Sequence, residues 1–457
     1  MMRKRTARKR GNMRNRRKWN EAGKILAGMI FSLAVFWLLL IVAALGNRGE
    51  ETNVNQGIIG KKDNWAEAAA TPEKTFPETS VPPETISQDT TKPLETELPE
   101  TAEPSTIEPQ PSSEVSIMAV GDNLMHASVS YSGLQPDGSW NFSHLFAQIQ
   151  PDIQEADVRI LCQEVIMGGL DLGISGYPNF NTVQEIGHSI AEAGFNVVAF
   201  ANNHVMDKGA DGILRTIHFW KEHYPEMCYT GIHESREEQN QICVIERNGI
   251  RIAVLNYTYG MNGHTLPAGQ EYLVDLSNDF ARIQADIQAA RTSADFIIVI
   301  PHWGTEYSYD TSTDQQNLTR FLADNGVDLV IGSHPHVVQP VEWVERTGYA
   351  RPMLVYYSLG NFVSIQDKTS TMLGAMAKIS IQKQNGETFI TDHSLKLLVT
   401  HYEMEEGNPY FTHITTYPLE QYTPELAARH GIRGGYDPSF SYEAIVQNGQ
   451  WLMTRVQ

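Results

Sequence analysis

The sequence predicts an α/β domain over residues 114–457, preceded by one transmembrane span and an extended stalk. Three observations predict it. From Val115 onward, short apolar runs alternate with amphipathic stretches, the pattern of strands and helices taken in turn. Residues 25–46 form an uncharged, almost wholly apolar run behind a basic cluster. Between these two regions lies a segment dominated by Pro, Thr, Glu and Ser.

The basic cluster comes first. Residues 1–24 hold eleven Lys/Arg and one Glu, a local charge of +10 within a chain of net charge −19, which leaves −29 on the remainder. So acidic a body argues against nucleic acid as a partner, because phosphate binding needs clustered Lys and Arg. The apolar run from Ile25 to Leu45 spans roughly 30 Å as a helix, the hydrocarbon thickness of a bilayer. Arg14, Arg16, Arg17, Lys18 and Lys24 should hold its leading end in the cytoplasm, with the bulk of the chain outside the cell membrane. A cleaved signal peptide is the rival reading, with Ala44-Leu45-Gly46 imitating a cleavage site. The apolar run is longer than the roughly 7–15 residues of a signal peptide, so an uncleaved single-pass anchor is the reading taken.

The stalk is residues 47–113. Stretches such as Pro77-Glu-Thr-Ser-Val-Pro-Pro-Glu-Thr carry few residues able to bury apolar area, so no packed core is expected. Prolines and like charges favour an extended chain that holds the domain away from the membrane.

Within the domain, Val115–Val120 reads as a strand ending in Gly121-Asp122, and Val158–Leu161 as a second. Thr182–Ala193 reads as an amphipathic helix stopped by Gly194, and Asn196–Ala201 as a buried strand running into Asn202-Asn203-His204. Helices are expected over Gly209–His223, Asn278–Arg291 and Gln315–Asn325, the last stopped by Gly326. Strands are expected at Ile250–Tyr257, Phe296–Ile300, Asp328–Ile331 and Met353–Tyr357. Gly374–Gln382 and Thr388–Tyr402 alternate like antiparallel strands, and the rest reads as a tail. The three cysteines, Cys162, Cys228 and Cys243, are too few for a disulfide scaffold or a Cys-rich zinc site. Cys228 and Cys243 pair in an oxidising exterior, or all three are buried thiols; the second reading is taken.

One pattern organises the chemistry. Asp122, Glu164, Asn203, His204, His302, His334 and His336 all lie just past the C-terminal end of an expected strand. In open α/β sheets that edge is where ligand sites gather. Neutral imidazoles suit zinc, iron or manganese, an amide oxygen adds a ligand without charge, and a carboxylate can bridge two ions. Each residue also has a plainer role: Asp122 can cap a turn, Glu164 can be a solvated carboxylate, and Asn202-Asn203 can be turn residues. His334-Pro335-His336 is sharper, because the intervening residue puts both imidazoles on one side of an extended segment. His126 is either a further ligand or a surface histidine. Asp207, three residues after His204, holds that imidazole's far nitrogen or caps the next helix, and the two are compatible. No Gly-x-Ser-x-Gly elbow and no nucleotide-binding P-loop occur in the sequence.

Five ordered motifs carry a family resemblance. Met118-Ala-Val-Gly-Asp122, Ala201-Asn-Asn-His-Val-Met-Asp207, Pro301-His-Trp-Gly-Thr-Glu306, Ile331-Gly-Ser-His-Pro-His-Val-Val-Gln-Pro340 and Tyr357-Ser-Leu-Gly-Asn-Phe362 resemble the CapA family of capsule-synthesis and poly-γ-glutamate-synthesis proteins, over about residues 114–425. The resemblance implies the calcineurin-like metallophosphoesterase fold: two mixed β-sheets packed face to face with helices outside. It implies a site for two divalent metal ions (manganese, iron or zinc) with Asp122, Glu164, Asn203, His302, His334 and His336 as ligands. His204, oriented by Asp207, is expected to serve catalysis beside the ions. The family's Asn-Leu-Glu motif reads Cys162-Gln163-Glu164 here, so only its carboxylate is kept. Two functions follow as expectations. One is a metal-dependent hydrolase of a phosphoester or envelope-polymer bond. The other is a non-catalytic accessory subunit that binds an anionic capsule polymer or its synthase complex.

Overall fold

The computed structural model of the protein describes residues 113–456. The expected basic tail, membrane span and nearly all of the stalk lie outside the described residues. Among the described residues, no helix is long and apolar enough to cross a membrane.

Among the described residues, fourteen strands form two mixed sheets. In chain order they are β1 (Ser113–Asn123), β2 (Val158–Gln163), β3 (Val197–Ala199), β4 (Cys228–Thr230), β5 (Cys243–Arg247), β6 (Ile250–Thr258) and β7 (Phe296–His302). They continue as β8 (Leu329–Ile331), β9 (Val341–Val344), β10 (Met353–Tyr356), β11 (Asn361–Val363), β12 (Leu373–Gln384), β13 (Glu387–Glu403) and β14 (Thr412–Pro418). The first sheet runs β14-β13-β12-β1-β2-β3-β4, with β11 beside the end of β1. The second runs β5-β6-β7-β8-β10-β9. The central pairs β1–β2, β2–β3, β6–β7 and β7–β8 are parallel, while β12, β13 and β14 add an antiparallel wing.

Period-2 alternation explains how the sheets stack. On β6, Ile252 and Val254 join Ile117 and Ala119 of β1 in the core between the sheets. Ala253 and Leu255 face the other way. Five helices among the described residues have eight residues or more: α1 (Ile186–Ala193), α2 (Gly209–His223), α3 (Phe280–Ser293), α4 (Thr313–Asp324) and α5 (Tyr442–Val456). Ile283 and Ile287 of α3 and Leu322 of α4 cover the outer face of the second sheet. At the N-terminus of α4, Ser312 and Gln315 form a reciprocal capping box, which satisfies two otherwise free backbone donors. At the end of α1, Gly194 takes the left-handed conformation at φ 107° that a residue with a Cβ would resist.

Several expectations are corrected. The helix expected from Thr182 begins only at Ile186, because the backbones of Asn181 and Thr182 hydrogen-bond to Ser175, Ile166 and Gly169 instead. The C-terminal tail contains α5, whose Ile445 and Leu452 are buried in the main core. Cys228 and Cys243 are not thiols: they form a disulfide with Cα atoms 6.0 Å apart, joining the first strand residue of β4 to that of β5. The bond ties the edges of the two sheets together, a proximity that sequence spacing alone does not reveal. Cys162 remains a buried thiol.

Candidate metal centre

The fold brings the strand ends together at one point. β1 pairs with β12 up to Val120, and past Gly121 it pairs with β11, setting Asp122 opposite Asn361. Gly121 is required there, since a Cβ would lie 1.9 Å from the Gly360 carbonyl oxygen. Glu164 directly follows β2, Asn203 and His204 lie in the turn after β3, His302 ends β7, and His334 and His336 follow β8. Asp122, Glu164, Asn203, His302, His334 and His336 are each 3% exposed or less.

Their polar atoms converge. His302 Nε2 lies 2.9 Å from Asn203 Oδ1 and 3.7 Å from Glu164 Oε1. His336 Nε2 lies 3.8 Å from the same Glu164 oxygen, and its Nδ1 lies 3.5 Å from Asp122 Oδ2. Glu164, His334 and His336 each offer a ligand atom within 4.8 Å of the others. All six residues meet around Glu164, and His204 stands beside them.

The same residues leave an electrostatic deficit. Both oxygens of Glu164, Oδ1 of Asp122 and Nδ1 of His334 are buried without any hydrogen-bond partner. Leaving a buried polar atom unpaired costs about 1–3 kcal/mol, and more when it is charged. Four such atoms at one place fit a cation, whose charge would satisfy them all together. The donor set suits a divalent metal of the manganese, iron or zinc kind.

Neighbours fix which atoms face inward. The Asn361 amide donates to Ser364, Gln366 and the Thr371 carbonyl, so its oxygen is turned to His336 Nδ1 at 2.9 Å. Nδ1–H of His336 therefore donates to Asn361, and Nε2, which faces Glu164, is the atom left to ligate once it loses its proton. Asn203 donates from Nδ2 to Asn262 at 3.3 Å, which leaves its oxygen facing His302. Ser333 Oγ sits 3.0 Å from His302 Nδ1. Such outer partners orient a ligand ring and raise its basicity.

Backbone strain sets the two clustered histidines. His334 and His336 have φ of 99° and 59°. The expectation of an extended segment with both imidazoles on one side is therefore wrong. A left-handed turn aims them, and such conformations in non-glycine residues gather at functional sites. The ring centroids lie 5.9 Å apart.

Burial and charge set the protonation states. Burial, helped by His334, His336 and His204, pushes His302 well below the usual histidine value. Burial, with His336 and His204, lowers His334 to about 3. Both are neutral, as metal ligation requires. Burial alone would lower His336 too, but the Glu164 and Asp122 carboxylates outweigh it and hold the imidazolium up to about 9. An arriving cation would have to displace that proton.

His204 and Asp207 form the expected pair. His204 Nδ1 lies 2.8 Å from Asp207 Oδ2, which also accepts from the Phe180 amide at 2.6 Å. Asp207 does not cap α2, whose N-cap is Lys208 without a side-chain bond. His126 packs edge-on against Phe180 on the same ring as His204, with centroid distances of 5.3 and 4.6 Å. Its Nδ1 is turned to the backbone of Leu124 and Ile365, so it is neither within the ligand cluster nor on open surface. His204, His126 and His336 line one side of a cleft of about 480 Å³. Outside the lining of that cleft, the Tyr259 ring centroid lies 4.7 Å from that of His334. Asn361, Asn262 and Ser333 were not expected as site residues. Asn361 carried a signal, the Gly360-Asn361 pair after an expected strand; Asn262, in a loop at φ 49°, carried none.

An α/β domain of two mixed sheets, with buried histidine, amide and carboxylate groups meeting at its strand ends, defines a protein with a metal-type site. The family model of the bacterial capsule synthesis protein PGA_cap matches residues 116–366, more than half of the chain, and the chain belongs to that family. Every residue of the cluster lies inside that span. The chain is 33% identical over 230 residues to the capsule biosynthesis protein CapA of Bacillus anthracis, covering 50% of this chain and 52% of that one. It is 30% identical over 209 residues to the PGA biosynthesis protein CapA of Bacillus subtilis strain 168, covering 44% and 50%. The chain spans about half the length of the curated relatives it matches. Among solved structures, the calcineurin-like phosphoesterase YfkN of Bacillus subtilis is similar at 14% identity and a TM-score of 0.37, covering 76% of this chain and 98% of that one. A likeness that loose carries no further weight.

Proposed function

We propose that this chain is a membrane-anchored, outward-facing, metal-dependent hydrolase that cleaves a phosphoester or related bond in an anionic envelope polymer. The observation that carries the reading is the group of buried, unpartnered atoms on Glu164, Asp122 and His334. Asp122, Glu164 and His336 would hold one divalent ion, and Glu164, Asn203, His302 and His334 a second. Such ions, when bound, polarise a phosphoryl oxygen and acidify a water. Asn361 and Ser333 keep two of the imidazoles in the ligating tautomer. Asp207 keeps His204 Nδ1 protonated, so Nε2 is the atom available to stabilise charge or to exchange a proton with a leaving group.

Residues 25–46 would anchor the chain, and residues 47–113 would carry the domain outward. The Cys228–Cys243 disulfide suits such an oxidising exterior. The polymer and its synthase complex are the partners in view, since the named relatives are capsule and PGA biosynthesis proteins. A non-catalytic accessory subunit is the second reading. The Cys162-Gln163 departure favours it, because the Gln163 amide is spent on Asn123 and the Val165 carbonyl.

The test is hydrolysis of bis(p-nitrophenyl) phosphate by the purified protein with added manganese, alongside His336→Ala. Metal-dependent turnover that disappears in the variant supports the hydrolase. Full metal loading without turnover on this or any polymer bond leaves the accessory subunit.

A further inference from the structure

The cleft that opens onto His336 and His204 has an unusual charge for a site handling phosphate. None of its twelve lining residues is Lys or Arg, while Glu306 and Asp367 put two exposed carboxylates on its wall. Lys368, next in the chain, is held over the Tyr307 ring at 3.5 Å and is not among the lining residues. The aromatic side chains Tyr177, Tyr307 and Tyr436 complete much of the wall. Phosphate-binding sites normally offset a dianion with Arg or Lys. Among the lining residues only His336 and the buried cluster behind it could supply positive charge, and the two carboxylates of the wall face a single adjacent ammonium, that of Lys368.

Building on the hydrolase reading, we propose that Glu306 and Asp367 act as a charge filter that admits phosphodiesters and turns away phosphomonoesters. A diester carries one negative charge. A monoester carries about −1.5 to −2 near pH 7. The extra charge meets two carboxylates. Taking a separation of about 8 Å in water, the combined repulsion on the extra half to one charge is worth about two- to sixfold in affinity. The second cleavage is then disfavoured. Water adds to phosphorus, the bond to one ester oxygen breaks, one proton of that water ends on the departing alcohol, and the other leaves to solvent as the monoester, whose second pKa is about 6, ionises to the dianion the wall expels. The filter therefore both selects the substrate and clears the product.

The experiment is calorimetric titration of the manganese-loaded full chain with dimethyl phosphate and with methyl phosphate. It compares the natural protein with the Glu306→Gln/Asp367→Asn double variant, with metal content checked in both. The filter predicts that the methyl-to-dimethyl affinity ratio rises about two- to sixfold in the variant. It also predicts that raising salt from 0.05 to 0.5 M raises the ratio in the natural protein, because exposed charges are screened. That second arm needs no variant. A ratio that moves with neither change overturns the proposal while leaving the hydrolase intact. Metal-loaded natural protein that binds neither phosphate overturns the hydrolase reading and the filter with it. In hydrolysis of bis(p-nitrophenyl) phosphate, p-nitrophenyl phosphate should accumulate before a slower second release of p-nitrophenol; release of both equivalents with no accumulation contradicts the filter.

Discussion

Glu164→Gln should abolish the stabilisation that manganese gives. Both Glu164 oxygens are buried and unpartnered, with the Nε2 atoms of His302 and His336 at 3.7 and 3.8 Å. The substitution keeps the shape of the side chain and removes its charge from the centre of the cluster. At manganese one hundred times its dissociation constant, linkage stabilises the folded chain by about 2.7 kcal/mol. Unfolding entropy of about 2.1 cal/mol/K per residue over residues 113–456 gives roughly 0.7 kcal/mol per kelvin. The natural protein should therefore melt about 3–4 °C higher with manganese than with chelator. A hundredfold loss of affinity in the variant leaves about 0.4 kcal/mol, a rise below about 1 °C. Scanning calorimetry with manganese and with EDTA reads both shifts. An equal rise in the variant would refute the placement of the cation at Glu164, and so would no rise in the natural protein.

Other outcomes follow from the same geometry. His204→Ala should keep its metal and lose about 10²–10³ in turnover, Asp207→Asn should lose less, and His336→Ala should lose metal and turnover together; equal metal loss in His204→Ala and His336→Ala contradicts these roles. Asn361→Leu frees the His336 tautomer and should weaken metal binding about 10–100-fold, read by metal titration with the fold checked by circular dichroism. The raised His336 stabilises the metal-free fold fully below its unfolded value near 6.5, and that contribution is lost as pH rises through about 9. Chelated protein should therefore lose stability across that window while metal affinity grows, and pH-independent affinity would speak against proton displacement. Replacing Cys228 and Cys243 by Ser opens a loop of sequence separation 15 and should cost about 3 kcal/mol in denaturant unfolding; an unchanged midpoint contradicts the staple.

Much of the centre was legible because its residues follow strands with strong local signals. Gly121-Asp122 ends an apolar run, and Gly194 and Gly326 punctuate amphipathic ones. Gly209–His223 has the same bounds in sequence and structure. The rest depended on long-range packing. β11 has three residues and exists because the end of β1 needs a partner there. α5 carries its apolar face against a wing contributed by residues far upstream. The His334–His336 arrangement was expected for the wrong reason, since a left-handed turn cannot be read from a His-Pro-His string. Asn361 and Asn262 act through other side chains, and nothing in their own neighbourhoods states which histidine they orient.

The most direct measurement is anomalous diffraction from a manganese-soaked crystal of the protein. Two peaks about 3.5–4 Å apart are expected, both in contact with Glu164, one beside Asp122 and His336 and the other beside Asn203, His302 and His334. No peak at Glu164, with manganese bound elsewhere or not at all, would contradict that placement.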